Sequence, residues 1–230
     1  MILYIVTDTH EAYRTRPAWL SHRNTFEELA GDACVVLHHS RIDLATVERI
    51  APWAVCHSGG SSDYRDTAAG YRDVVLRYAS AQIGLCSGHQ LIARIFGGKL
   101  GAMRKLAPGE PDPAPTYHPG YFKEYGVYSV RKVKDDPLFQ GMGRQMRVFE
   151  NHYWEVKRLP PSLVLLASAP VCRVQAFRHR ARPVYGVQFN PEADGVGSHD
   201  GEAILRNFFK IARAHRGAIG GGMGTERKTG

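Results

Sequence analysis

Through the first half of the chain, apolar residues come in short unbroken runs: ILYIVT at 2–7, CVVLHH at 34–39, WAVCHS at 53–58 and IGLC at 83–86. Runs without polar alternation are what strands buried on both faces look like. Between them, residues 21–30 and 66–80 space their apolar side chains as helices do. The alternation predicts βαβ units, hence an α/β fold with a mostly parallel central sheet between two helical layers. A further helix, SGHQLIARIFGG, follows residue 86 and is closed by Gly97 and Gly98.

The pattern changes after residue 100. Residues 106–120, LAPGEPDPAPTYHPG, are dense in proline and must form a loop, either closing over a site or facing a partner. Strand-like runs then crowd together: GVYSVRKV, QMRVFENHYWEV, SLVLLAS, CRVQAFRH and VYGVQF. So little chain separates them that antiparallel hairpins or meanders must join several, extending the main sheet. Ile204, Leu205, Phe208, Phe209 and Ile211 predict a last helix over about 201–215 with one buried face. Residues 1–215 read as one domain and 216–230 as a flexible Gly-rich tail.

Composition narrows the function classes. With 230 residues, 43% hydrophobic, the chain can bury one substantial core. Cys34, Cys56, Cys86 and Cys172 are far apart, which suggests neither a disulfide framework nor a zinc site, and no metal or organic cofactor is expected. A cytoplasmic location is the expectation, since the N-terminus lacks the marks of a signal peptide and no run reaches membrane-spanning length. The net charge of +8 invites a nucleic-acid reading. Its basic residues are scattered from Arg14 to Lys228, with only a loose group at Arg94, Lys99, Arg104 and Lys105, so neither nucleic acid nor membrane is expected as a partner.

The chemistry concentrates in IGLCSGHQLI, residues 83–92. Gly84 and Gly88 flank Cys86 as a sharp strand-to-helix turn requires, because side chains there would strike neighbouring backbone. Such an elbow puts Cys86 at a helix N-terminus, where the dipole is expected to favour thiolate. A buried structural cysteine in a glycine-containing turn is the plain alternative. In CHSGGSSD, residues 56–63, Gly59 and Gly60 can bring backbone N–H groups to a ligand and, with the N–H of Ser87, form an oxyanion hole. Taken alone, a glycine pair marks an ordinary turn.

With these motifs in order, HSGG, GLCSGHQLIARIFGGKL and PVYGVQFNPE, the chain resembles a class I glutamine amidotransferase domain, the thiol-dependent glutaminase module. It is most similar to the GMP synthetase type on KEYGVYSV, DDPLFQGM, ENHYWEV and LLASAPVCRVQAFRH, and the resemblance spans about residues 1–213. It implies a three-layer flavodoxin-like fold and hydrolysis of the L-glutamine side-chain amide by a Cys-His-Glu triad. Ammonia would pass to a separate ATP-dependent synthetase. Under the resemblance, Cys86 falls on the nucleophile and Glu192 on the triad acid. Gly59, Gly60 and Ser87 fall on the oxyanion hole, and Gln90, Asn151, His152 and Tyr153 near the glutamine-binding surface. The family's histidine falls on Asn190, and Trp154 stands where the GMP synthetase type usually has an acidic residue.

Asparagine exchanges hydrogen bonds but does not titrate near neutral pH, so Asn190 cannot shuttle a proton. Losing a general acid–base costs about 10²–10⁴ in rate. Three readings follow. His57 or His152 substitutes as the base, against the plain alternative of a hydrogen-bonded structural histidine. Otherwise the domain binds glutamine or a related γ-glutamyl amide with impaired turnover and regulates a synthetase, or Asn190 is an introduced change. His89, inside the elbow helix, is expected to be packing or surface. A cysteine hydrolase of γ-glutamyl peptides would use the same elbow, whereas a nucleotide-binding module lacks its GxGxxG or P-loop.

Overall fold

The computed structural model describes residues 1–60, 69–193 and 200–222. Its first half runs β1 (Ile2–Val6), α1 (His10–Thr15), α2 (Ala18–Ala30), β2 (Cys34–His38), α3 (Leu44–Ile50), β3 (Ala54–His57), α4 (Ala69–Arg77), β4 (Ala81–Leu85) and α5 (Ser87–Ile95). The second half adds β5 (Lys99–Ala102), β6 (Glu124–Lys132), β7 (Gln145–His152), β8 (Trp154–Arg158), β9 (Leu163–Ser168), β10 (Ala176–His179), β11 (Val184–Val187) and α6 (Gly201–Gly222).

The main sheet is ordered β2-β1-β3-β4-β11-β10-β9-β6-β7. From β2 to β11 the strands pair in parallel; from β11 outward every pairing is antiparallel, as the crowded second-half runs predict. Strand β1 is buried along its whole length and divides its side chains between two cores. Ile2, Tyr4 and Val6 pack with Trp19 and Phe26 of α2 and with Phe208 and Phe209 of α6. Leu3 and Ile5 pack with Val47 of α3, Tyr71 and Val74 of α4, and Leu91 and Ile92 of α5. These are the three layers expected.

Some elements differ from the expectation. α3 is short and weakly periodic, but Asp43 caps it by accepting the Thr46 N–H at 2.7 Å, a signal the sequence carried. The run QMRVFENHYWEV is two strands, since the chain breaks at Tyr153 and β8 leaves the main sheet to pair with β5. α4 begins at Ala69, and residues 66–68 of the expected helix lie outside the described residues. Helix α6 continues to Gly222, past His215 where its apolar spacing stops; residues 223–230 of the expected tail lie outside the described residues.

Candidate active site

Parallel strands β3, β4 and β11 end side by side, and their C-terminal ends carry the chemistry-bearing turns. Between β4 and α5, Cys86 holds φ +49° and ψ −107°, a left-handed conformation that a non-glycine residue adopts only at a cost. Its neighbours explain the glycines. A β-carbon on Gly84 would lie 2.5 Å from the Gly88 carbonyl carbon, and one on Gly88 would strike the His57 carbonyl oxygen. The elbow is fixed by the Cys86 N–H donating to the Val187 carbonyl at 2.9 Å and the Gly88 N–H donating to the Ser58 carbonyl at 3.0 Å.

The turn after β3 lies against the elbow. A β-carbon on Gly59 would sit 3.3 Å from Asn190 Nδ2 and 3.4 Å from Cys86 Cβ, so this glycine packs against both side chains. Gly60 backs onto Asp8, whose Cβ is 2.9 Å from where its own would be. Ser87 Oγ donates to the Ser58 carbonyl at 3.5 Å. Residues 61–63 of the CHSGGSSD segment lie outside the described residues. Past β11, Asn190 Nδ2 donates to Glu192 Oε1 at 3.5 Å, and the Asn190 N–H donates to the Phe149 carbonyl at 2.8 Å.

Cys86, Gly59, Gly60, Asn151, Asn190 and Glu192 open onto a cavity of about 640 Å³. Burial pushes the Cys86 thiol above its ordinary value, and the negative charges of Glu192 and Glu150 push it further; the Ser87 N–H works the other way. This corrects the expectation of a thiolate. The Ser87 N–H at the helix N-terminus does not offset desolvation plus the two carboxylates. The neutral thiol is hydrogen-bonded, donating to the Asn151 carbonyl and accepting from Gln188 Nε2, each at 3.8 Å.

Neither candidate substitute base is free to act. His57 is fully buried, with Nδ1 on the Tyr71 hydroxyl at 2.8 Å and Nε2 on Gln82 Oε1 at 3.1 Å; burial lowers it to about 4. His152 has Nδ1 on the Trp154 carbonyl at 2.9 Å, and its Nε2 faces Glu124 at 3.1 Å and Glu150 at 3.2 Å. Burial would lower its pKa, but the two carboxylates outweigh that and raise it to about 10, so His152 is a buried cation rather than a base. His89 is packing, stacked on Phe177 at 4.7 Å.

A thiol elbow, a glycine turn and a Pro-Glu turn thus meet at the ends of three adjacent strands. The family model "Glutamine amidotransferase class-I" matches residues 17–212. The chain belongs to the class I glutamine amidotransferase family. It is 32% identical over 190 residues to a glutamine-hydrolyzing GMP synthase subunit of Pyrococcus furiosus, covering 81% of this chain and 89% of that one. The corresponding subunit of Pyrococcus abyssi is 34% identical over 171 residues, 73% of this chain and 80% of that one. Among solved structures, a GMP synthase subunit of Thermoplasma acidophilum shares the fold with TM-score 0.73 at 24% identity, over 96% of this chain and 98% of its own.

In this amidotransferase, two residues expected near the glutamine-binding surface do not line the cavity. Gln90 Nε2 donates to the Trp154 carbonyl at 2.7 Å and to Gln188 Oε1 at 3.0 Å, inside the protein. Tyr153 stacks on His118 at 3.7 Å and does not line the cavity. Asn151 does line it. Several lining residues were not foreseen: Arg16, Trp19 and His22 from the first helical layer and Tyr125 from β6. They come from segments far from the motifs, and no local spacing marks them. The proline-dense loop closes over the site, residues 113–117 forming part of the cavity wall.

Behind Asn151 lies a buried polar cluster of Glu124, Glu150, His152 and Gln175. Ligand atoms of Glu124, His152 and Cys172 lie within 4.8 Å of one another, a grouping that can hold a metal ion. The His152 proton between the carboxylates already supplies the positive charge a cation would bring.

Proposed function

We propose that this chain is the glutamine-handling subunit of a GMP synthase, with residues 1–215 as its amidotransferase domain. L-glutamine or a related γ-glutamyl amide would lie against Cys86, and Asn190 would take the place of the family's histidine. The observation that supports this most directly is that Gly59 packs against both Cys86 and Asn190, with Glu192 hydrogen-bonded to the Asn190 amide.

In that arrangement the Cys86 sulfur attacks the side-chain amide carbon, the oxyanion is met by N–H groups of the Gly59–Gly60 turn and Ser87, and ammonia leaves a thioester that water then opens. Each step needs a proton taken or returned. Asn190 holds the position of the relay without performing it, so the chain binds substrate and turns it over slowly. Ammonia released here would serve a separate ATP-dependent synthetase, as the subunit naming of the relatives suggests, and the pair would work in the cytoplasm. Among the described residues no helix is long and apolar enough to cross a membrane.

The test is glutamate and ammonia release from glutamine by the purified chain beside Asn190→His and Cys86→Ala. Cys86-dependent release that rises on Asn190→His supports the reading; inert parent and variant, with the synthetase partner present, sink it. One observation favours a second reading. The cavity of about 640 Å³ is in the range that takes drug-sized ligands, more than a free amino acid fills. A larger γ-glutamyl amide or peptide is the alternative substrate, recognised by glutamate release from γ-glutamyl peptides but not from glutamine.

A further inference from the structure

We propose that Gln90 and Gln188 form an amide relay that aims a side-chain N–H at the Cys86 sulfur, supplying the thiolate-stabilising donor in a site where asparagine replaces the imidazole. The inference rests on Cys86 being the reacting atom, as in the function proposed above.

An amide side chain has one donor end and one acceptor end, and which way it points is fixed by its partners. Here the direction propagates from a group that can only accept. The Trp154 carbonyl takes a hydrogen bond from Gln90 Nε2 at 2.7 Å, which fixes the Gln90 amide. The same Nε2 donates to Gln188 Oε1 at 3.0 Å, so the Gln188 acceptor end is committed to Gln90. Its donor end must then face the other way, and Gln188 Nε2 lies 3.8 Å from Cys86 Sγ. Both glutamines are buried, at 1% and 0% exposure, so water does not compete for these groups.

The sulfur also faces an acceptor. Cys86 Sγ is 3.8 Å from the Asn151 carbonyl, which favours the protonated thiol and opposes the thiolate. Gln188 is therefore the side-chain donor that gains strength as the sulfur becomes negative, because hydrogen bonds to charged groups are about twice as strong as neutral ones. Gln188 contacts the reacting atom, and Gln90 is a positioning residue that acts through it.

The test is alkylation of Cys86 by iodoacetamide between pH 7.5 and 9.5, followed by mass spectrometry on the Cys86 peptide so that the other three cysteines do not contribute. A hydrogen bond to a charged group shifts an equilibrium about 10- to 100-fold. Thiolate nucleophilicity falls as the thiolate is stabilised, with a Brønsted slope of about 0.4–0.5, so roughly half of that shift survives on a logarithmic scale. Gln188→Leu should alkylate about three- to tenfold more slowly at each pH, and Gln188→Glu, with an acceptor and a charge at the sulfur, more slowly still. Gln90→Leu should also slow the reaction, because the Gln188 amide loses the partner that orients it. Gln188→Met replaces the leucine variant should that one not fold.

Parent rates in Gln188→Leu, parent rates in Gln90→Leu, or faster alkylation in either overturn the relay; a merely structural role would loosen the site and expose the sulfur. The assay involves no glutamine. If Asn190→His proves inert while the alkylation order holds, the relay stands and the proposed function fails; the reverse result separates them the other way.

Discussion

Asn190 and Glu192 meet through one hydrogen bond, Nδ2 to Oε1 at 3.5 Å, while the other end of the amide, Oδ1, is buried with no hydrogen-bond partner among the described residues. An imidazole fits these surroundings better. Its N–H can donate to Glu192 while its second nitrogen accepts the thiol proton, which is the division of roles a base-plus-orienter pair requires. Asn190→His is expected to raise Cys86-dependent glutaminase activity about 10²–10⁴-fold. Steady-state glutamate release measures it, and an increase that persists in a Cys86→Ala background would refute the assignment.

The unmodified thiol should show no histidine in its titration. Burial, Glu192 and Glu150 keep the Cys86 thiol protonated at neutral pH. Alkylation of the parent chain should therefore climb steadily with pH through 9.5, without a plateau or a limb near 6.5, the ordinary histidine value. In Asn190→His an imidazolium–thiolate pair should add such a limb. A bell-shaped profile in the parent would show that some other group relays the proton.

How much of this was legible beforehand depended on how local each feature is. The Cys86 elbow was legible because Gly84 and Gly88 are needed within two residues of it, and both are in steric contact where expected. The parallel pairing of β1, β2, β3 and β4 was legible from the βαβ alternation, but their order in the sheet was not. By contrast, the Glu124–Glu150–His152 cluster forms only when β6 and β7 pair, setting Glu124 opposite His152. A trace of it was present: Met146, Val148, Glu150 and His152 are in phase, and all four are buried. Charged residues in phase with apolar ones mark a buried polar network, but a strand with polar residues at its end is normally read as emerging into solvent. The Gln90–Gln188 contact joins residues on different elements, and no spacing announces it.

The buried histidine gives stability a definite pH dependence. Burial opposes charge on His152, yet Glu124 and Glu150 raise its pKa to about 10. A group raised above its unfolded value of about 6.5 contributes fully below that pH and loses its contribution as pH rises toward 10. Burial also raises Glu150, and ionising it on the way up acts in the same direction. The melting temperature should fall between about pH 6.5 and 10. His152→Gln should flatten that slope and cost about 3–5 kcal/mol near pH 7, because the buried Glu124–Glu150 pair loses its cation. A melting temperature that rises across this window would disprove the buried charge.

The proline-dense strap over the cavity is held by contacts that can be released singly. Lys123 is 1% exposed, and its Nζ donates to Asp112 Oδ1 at 2.7 Å and to the Tyr121 carbonyl at 3.1 Å. Asp112 also accepts the N–H groups of Ala114 and Gly120, at 3.0 and 3.1 Å, and so ties the beginning of the strap to its end. His118, stacked on Tyr153, holds φ +46°, a left-handed conformation that the surrounding contacts must offset. The Lys123 hydrogen bond holds the Asp112 carboxyl below its ordinary value. A depressed carboxylate stabilises above the unfolded pKa of about 3.9 and loses that contribution as pH falls through the folded value, so acid should loosen the strap. Asp112→Ala should do the same at neutral pH. It leaves a buried ammonium short of its counter-charge and frees both N–H groups. Because residues 113–117 wall the cavity beside Cys86, the variant should speed Cys86 modification by a bulky maleimide far more than by iodoacetamide. The ratio of the two rates, compared with the parent chain, is the readout: a rising ratio identifies the strap as the barrier to large groups, and an unchanged one means that access to the thiol is limited elsewhere.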